Sequence, residues 1–122
     1  MMFKEALEGI IERTDGGIGA LIMGVDGIAV EKVLTEEARD LNLDVAAAEF
    51  TSLIRNAQRT GNDTGLGSLR ELAVQLESAT VIMRLFTKEY FVVLAMKPDG
   101  NFGRGRFELR KAELELAREF VM

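Results

Sequence analysis

LRELAVQLESATVIMRLFTKEYFVVLAM, residues 69–96, is the stretch that decides the fold. It reads as three strands joined by two short turns. The second strand, 79–86 (ATVIMRLF), and the third, 90–97, which opens YFVVLAM, are apolar on both faces of the pleat. A strand with one wet face alternates apolar and polar side chains, whereas a run without alternation is covered on both sides. Helices must therefore lie on both faces of this sheet. The first strand, 69–76 (LRELAVQL), differs: Leu72, Val74 and Leu76 share one face, and Ala73 and Gln75 the other. It is apolar and little protected. Such an edge invites another chain, and a two-fold copy of the same chain is the commonest recipient.

Working upstream, Phe3, Leu7, Ile10, Ile11 and Thr14 recur at helical spacing with charges around the remainder, which predicts an amphipathic helix ended at Asp15-Gly16-Gly17. Residues 18–25 (IGALIMGV) predict a buried strand, and Asp26-Gly27 a tight hairpin. The return strand 28–33 carries Glu31 and Lys32, charges that suit an edge. Residues 35–43 read as a loop with at most one helical turn. Asp44 reads as the N-cap of a second helix over 45–60, and 61–68 (GNDTGLGS) as a mobile loop. Downstream, Lys97-Pro98-Asp99-Gly100 is a turn. A charged helix follows over 103–120, its apolar positions including Phe107, Ala112, Leu114, Ala117, Phe120 and, just beyond, Val121. The order is helix, two strands, helix, three strands, helix. It predicts an α/β (α+β) fold of one domain over 1–122, with a five-stranded, mostly antiparallel sheet between helical layers.

Composition narrows the function. The chain has 122 residues, 48% apolar and 29% charged, with a net charge of −5. A surface of that sign repels nucleic acid and anionic lipid, so neither is expected as a partner. There is no histidine and no cysteine, which removes the commonest general base and the commonest metal and nucleophile chemistry. No cofactor, metal or catalytic site is expected, and the chain is read as a non-enzyme. The N-terminal MMFKEALEG carries Lys4, Glu5 and Glu8, unlike a signal peptide, and no apolar run approaches the ~20 residues of a membrane span. A cytoplasmic location is expected.

Two glycine-rich stretches could hold an anion. Gly61, Gly65 and Gly67 precede Ser68, but a P-loop needs a lysine before the serine and a helix after it, and here a strand follows. In Gly103-Arg104-Gly105-Arg106 the glycines would let the last helix approach the sheet, while the arginines are solvated or pair with Glu108. On the middle helix the apolar stripe centres between Phe50 and Leu53, with Ala46, Ile54 and Ala57. One flank carries Ala47, Thr51, Ile54 and Gln58, small or short side chains that suit either an ordinary surface or a close helix contact. The remaining face carries Ala48, Ser52, Arg55 and Arg59.

This order of elements, with GGIGALIMGVDGIAVEKV at 16–33, the alanine-rich helix 45–60 and YFVVLAMKPDGNFGRGRFELR at 90–110, resembles the Roadblock/dynein light chain family. Within it the likeness is to MglB-type regulators of Ras-like small GTPases. The resemblance implies a homodimer joined through edge strands and paired middle helices, with Ala47, Thr51, Ile54, Gln58, Leu72, Val74 and Leu76 at the interface. It also implies a GTPase docked on the paired helices through Ala48, Ser52, Arg55 and Arg59. The alternative is a structural adaptor that binds no GTPase. A small-molecule sensor would need a cavity, for which Met23, Met83 and Met96 are the candidate lining.

Overall fold

The structure, a computed structural model, describes residues 3–120. Helix α1 (Phe3–Arg13) leads into strands β1 (Gly17–Gly24) and β2 (Ala29–Leu34). A single turn of 3-10 helix (Glu36–Ala38) precedes α2 (Leu43–Thr64). Strands β3 (Glu71–Gln75), β4 (Thr80–Leu85) and β5 (Tyr90–Met96) follow, and α3 (Phe102–Phe120) closes the described chain. Val121, assigned above to the apolar side of the last helix, lies outside the described residues. The five strands form one antiparallel sheet in the order β2-β1-β5-β4-β3. The three strands buried on both faces, β1, β4 and β5, lie inside the sheet, and β2 and β3 are its edges.

Alternation across the pleat divides the core into two layers. Leu21, Met23, Val81, Met83, Phe91 and Val93 face α2. Ala20, Ile22, Ile82, Val92, Leu94 and Met96 face α1 and α3. The sheet thus separates Met96 from Met23 and Met83, all three of them buried, so they line no common cavity. Gly105 lets α3 seat closely: a Cβ there would meet Leu94 Cδ2 at 3.0 Å and Ile82 Cδ1 at 3.3 Å. Asn101 Oδ1 accepts the Arg104 amide at 3.0 Å and caps this helix. Leu109 and Leu116 point inward, while Phe107 and Leu114 face solvent.

The middle helix departs from expectation in length and in phase. Its N-cap is Asn42, not Asp44, and it runs four residues further, through Gly61, to end where Gly65 adopts φ +80°. The Gly67 amide closes that end on the Gly61 carbonyl at 2.9 Å. The buried stripe is Leu43, Ala47, Thr51 and Ile54. Ala47, Thr51 and Ile54, assigned above to a partner-facing flank, therefore pack on this chain's own sheet, and Gln58 is half-buried beside them. In the middle of this stripe the small Ala47 and Thr51 let the helix lie close to the sheet, and Leu43 and Ile54 fill the space on either side. The larger Leu53 is 46% exposed.

Candidate protein-interaction surface

Backbone pairing fixes which groups each sheet edge offers. Just beyond the two ends of β3 the Leu76 amide donates to Ala79 O at 2.9 Å, and Arg70 O accepts from Leu85 N at 3.0 Å. Val74 lies opposite Val81 and Leu72 opposite Met83. Bonded and non-bonded pairs alternate along an antiparallel ladder, so the even-numbered residues of β3 turn their amides and carbonyls toward β4. Those of Glu71, Ala73 and Gln75 point off the sheet. The β3–β4 register is unbroken.

Beside this edge lies one side of α2. Ala46 and Phe50 border an apolar recess of about 190 Å³ with Leu43, Leu76, Ala79 and Val81. Further along, Ala57 and Gly61 approach the chain that enters β3. The stripe next to β3 is thus Ala46, Phe50, Leu53 and Ala57, one residue and about 100° round the helix from the flank expected. Leu72 and Val74 are half-buried beneath it, and Leu76 is 54% exposed.

The opposite side of α2 meets the β1–β2 hairpin. A Cβ at Gly27 would lie 3.9 Å from Ala48 Cβ, and Arg55 Nη1 donates to Val25 O at 2.7 Å. Arg59 donates to Asn56 Oδ1. Ser52, Arg55 and Arg59 are exposed and Ala48 is half-buried, so the structure keeps these four on one flank.

On the other face of the sheet, Glu71 of β3 joins a charged network that sequence reasoning missed. Arg84 donates to Glu113 Oε1 at 2.8 Å and to Glu71 Oε1 at 3.2 Å, and Arg106 donates to Glu71 Oε2 at 2.6 Å. Burial works against the Arg84 cation, but its hydrogen bonds to the Glu113 and Glu71 carboxylates outweigh that and hold its pKa above the ordinary value. A second network surrounds Glu108, whose side chain is fully buried. Arg13 donates to its Oε1 at 2.7 Å, Arg104 Nη2 lies 2.7 Å from Oε2, and Lys111 Nζ is 3.7 Å from Oε1. Burial alone would raise the Glu108 pKa; Arg13, Lys111 and Arg104 reverse that and lower it. The arrangement is a structural clasp between α1 and α3. The only signal for it in sequence is Glu108 four residues after Arg104.

Among the described residues no cluster of acidic side chains could hold a metal, and no helix is long and apolar enough to cross a membrane.

The chain matches no protein-family model and no curated protein. Among solved structures it is similar to MglC from Myxococcus xanthus, with 34% identity over 98% of this chain and 99% of that one, at a TM-score of 0.72. A Roadblock/LC7 domain from Streptomyces avermitilis superposes over the whole of both chains at a TM-score of 0.86 with 15% identity. An MglB in a tetrameric arrangement superposes at 0.84, with 22% identity over 94% of this chain and 85% of that one.

Proposed function

The chain belongs to the Roadblock/LC7 family, and on that premise we propose that it is a homodimeric binding module that docks and regulates a Ras-like small GTPase. The observation that carries the pairing is the β3 edge: an unbulged strand with outward-facing backbone groups, flanked by Ala46, Phe50, Leu53 and Ala57. What supports the GTPase is the family likeness, together with the exposed cations Arg55 and Arg59 on the other flank of α2. They would supply docking charge; the module carries no chemistry of its own. A cytoplasmic setting belongs to the same proposal, and a chain without cysteine suits a reducing compartment. One observation favours an adaptor as the second reading: Arg55 and Arg59 already hold Val25 O and Asn56 Oδ1, which leaves them fewer free donors.

The test is co-purification with a Ras-like GTPase loaded with GDP or with a GTP analogue. Arg55→Glu with Arg59→Glu is expected to weaken binding by several-fold to ~100-fold, at roughly a kcal/mol per reversed exposed pair. Lys88→Glu, in the β4–β5 turn, serves as the control. Undiminished binding by the double variant would remove this flank from the contact, and no binding in either nucleotide state would favour the adaptor.

A further inference from the structure

At the N-terminal end of β3 a cleft of about 630 Å³ is lined by Arg70, Arg84, Arg106 and Arg110, with Glu71, Ser68 and Leu69 beside them. Arg84 and Arg106 are engaged with Glu71. Arg70 and Arg110 are exposed and have no carboxylate partner among the described residues. Glu71 and Glu113 offset Arg84 and Arg106, so the cleft keeps an excess of two guanidinium groups in a chain of net charge −5, and an anionic occupant would complement them. At the opposite end of the same strand stands the complement. Glu77, in the turn between β3 and β4, is exposed and likewise has no partner among the described residues.

The homodimer proposed above relates the two ends. In a two-fold pairing with its axis normal to the sheet, opposite residues share a face, so the axis passes through a residue rather than between two. An axis through Ala73, the midpoint of β3, overlaps the strands completely. Glu71 then faces Gln75, Ala73 faces itself, and every outward amide and carbonyl of the strand finds a partner. An axis through Val74 would set Glu71 against Glu77, like charge on like charge. With the axis at Ala73, residues 69 and 77 stand equally far from it, about 13 Å away on opposite sides. Glu77 of each copy then lies beside Leu69 of the other, at the mouth of its arginine cleft.

We propose that this cleft is a clamp for Glu77 of a second copy of the chain, formed twice per dimer, and that it sets the register of the β3 seam. The inference rests on the homodimer reading, and the test separates the two. Glu77→Lys alone, and Arg70→Glu with Arg110→Glu, are each expected to weaken self-association about tenfold or more, since two exposed contacts are reversed per dimer. An equimolar mixture of the two variants should recover wild-type affinity as a heterodimer. The ammonium introduced at position 77 of one copy then meets the carboxylates introduced at positions 70 and 110 of the other, while the native contact persists at the opposite end of the seam. Recovery also shows that both variants fold. Ala73→Cys reports the register independently. The chain has no other cysteine, and paired Cα atoms about 5.5 Å apart suit a disulfide. If Ala73→Cys cross-links while Glu77→Lys dimerises as tightly as wild type, the clamp is overturned and the pairing stands. A wild-type dimer in which Ala73→Cys fails to cross-link overturns the register and the clamp with it. A monomeric wild type overturns the homodimer reading itself.

Discussion

On β2 the backbone of Lys32 faces outward and its amide is already taken: the Glu31 carboxylate accepts it at 3.0 Å. On β3 the amides of Glu71, Ala73 and Gln75 face outward and meet no acceptor among the described residues. The contrast extends to everything nearby. The β1–β2 register breaks between Ile22 and Met23, whereas the β3–β4 register is continuous. Lys32 Nζ stands 3.5 Å from Asp44 Oδ2 and sets an ion pair over the β2 edge, while β3 lies beneath the apolar side of α2. A bulge and free edge charges are the usual defences against a stray strand; β3 has no bulge, and its one charge, Glu71, is tied to Arg84 and Arg106. In the proposed dimer these two strands of similar length take opposite roles, and the bulge together with the groups around each edge makes the difference.

The contrast breaks most directly with proline, which removes an outward amide without disturbing a ladder to which that amide does not belong. Ala73→Pro is expected to abolish the dimer while the monomer keeps its fold. Lys32→Pro, at the matching position of β2, should leave self-association unchanged and lower stability a little through loss of the Glu31 contact. Light scattering at micromolar concentration reads both. A dimer that survives Ala73→Pro and is lost in Lys32→Pro would exchange the roles of the two edges.

Much of this arrangement was legible because strand chemistry is local. The unalternating runs of β4 and β5 required cover on both faces, and Glu31 with Lys32 marked an edge. Helix phase was not legible in the same way. The face a helix turns to a sheet depends on the sheet's distance, and the choice between Phe50 with Leu53 and Ala47 with Thr51 rests on how close α2 comes. Hydrophobicity points to the former pair and packing selects the latter. The exposed Leu53, left over once the small residues turned inward, became part of the candidate surface. The clasp at Glu108 and the network at Arg84 unite residues 95 and 29 positions apart, a separation at which single-sequence spacing carries no information.

The side chains above each edge sharpen the comparison by a smaller amount. Leu53→Glu places a charge where the proposed seam buries an apolar surface. Each copy loses part of the ~1.5–3 kcal/mol that burying a leucine contributes, and the symmetric dimer counts the loss twice. An increase in the dimer dissociation constant of about a hundredfold is expected. Ile28→Glu, on a residue 67% exposed just before β2, should change nothing measurable. Sedimentation across a concentration series distinguishes the two, and equal effects would mean that added charge, not position, drives the loss.

The smallest effect tests whether the guard on β2 operates in solution. The attraction of Lys32 lowers the Asp44 pKa below its ordinary 3.8, against an opposing push from burial. Because the folded value lies below the unfolded one, the pair's contribution is complete above the ordinary carboxylate range and disappears as pH falls through the folded value. Both side chains are more than a third exposed, so salt screens the pair and the change in stability is small. Lys32→Ala should let the Asp44 carboxyl titrate upward toward 3.8, visible by carboxyl NMR, and leave the dimer intact. An Asp44 titration indifferent to Lys32 would mean that the ion pair does not persist in water. The guard would then reduce to the bulge and the Glu31 contact, with the β3 assignment untouched. A dimer weakened by Lys32→Ala would be the graver result, since it would place β2 in the seam and dissolve the distinction between the two edges.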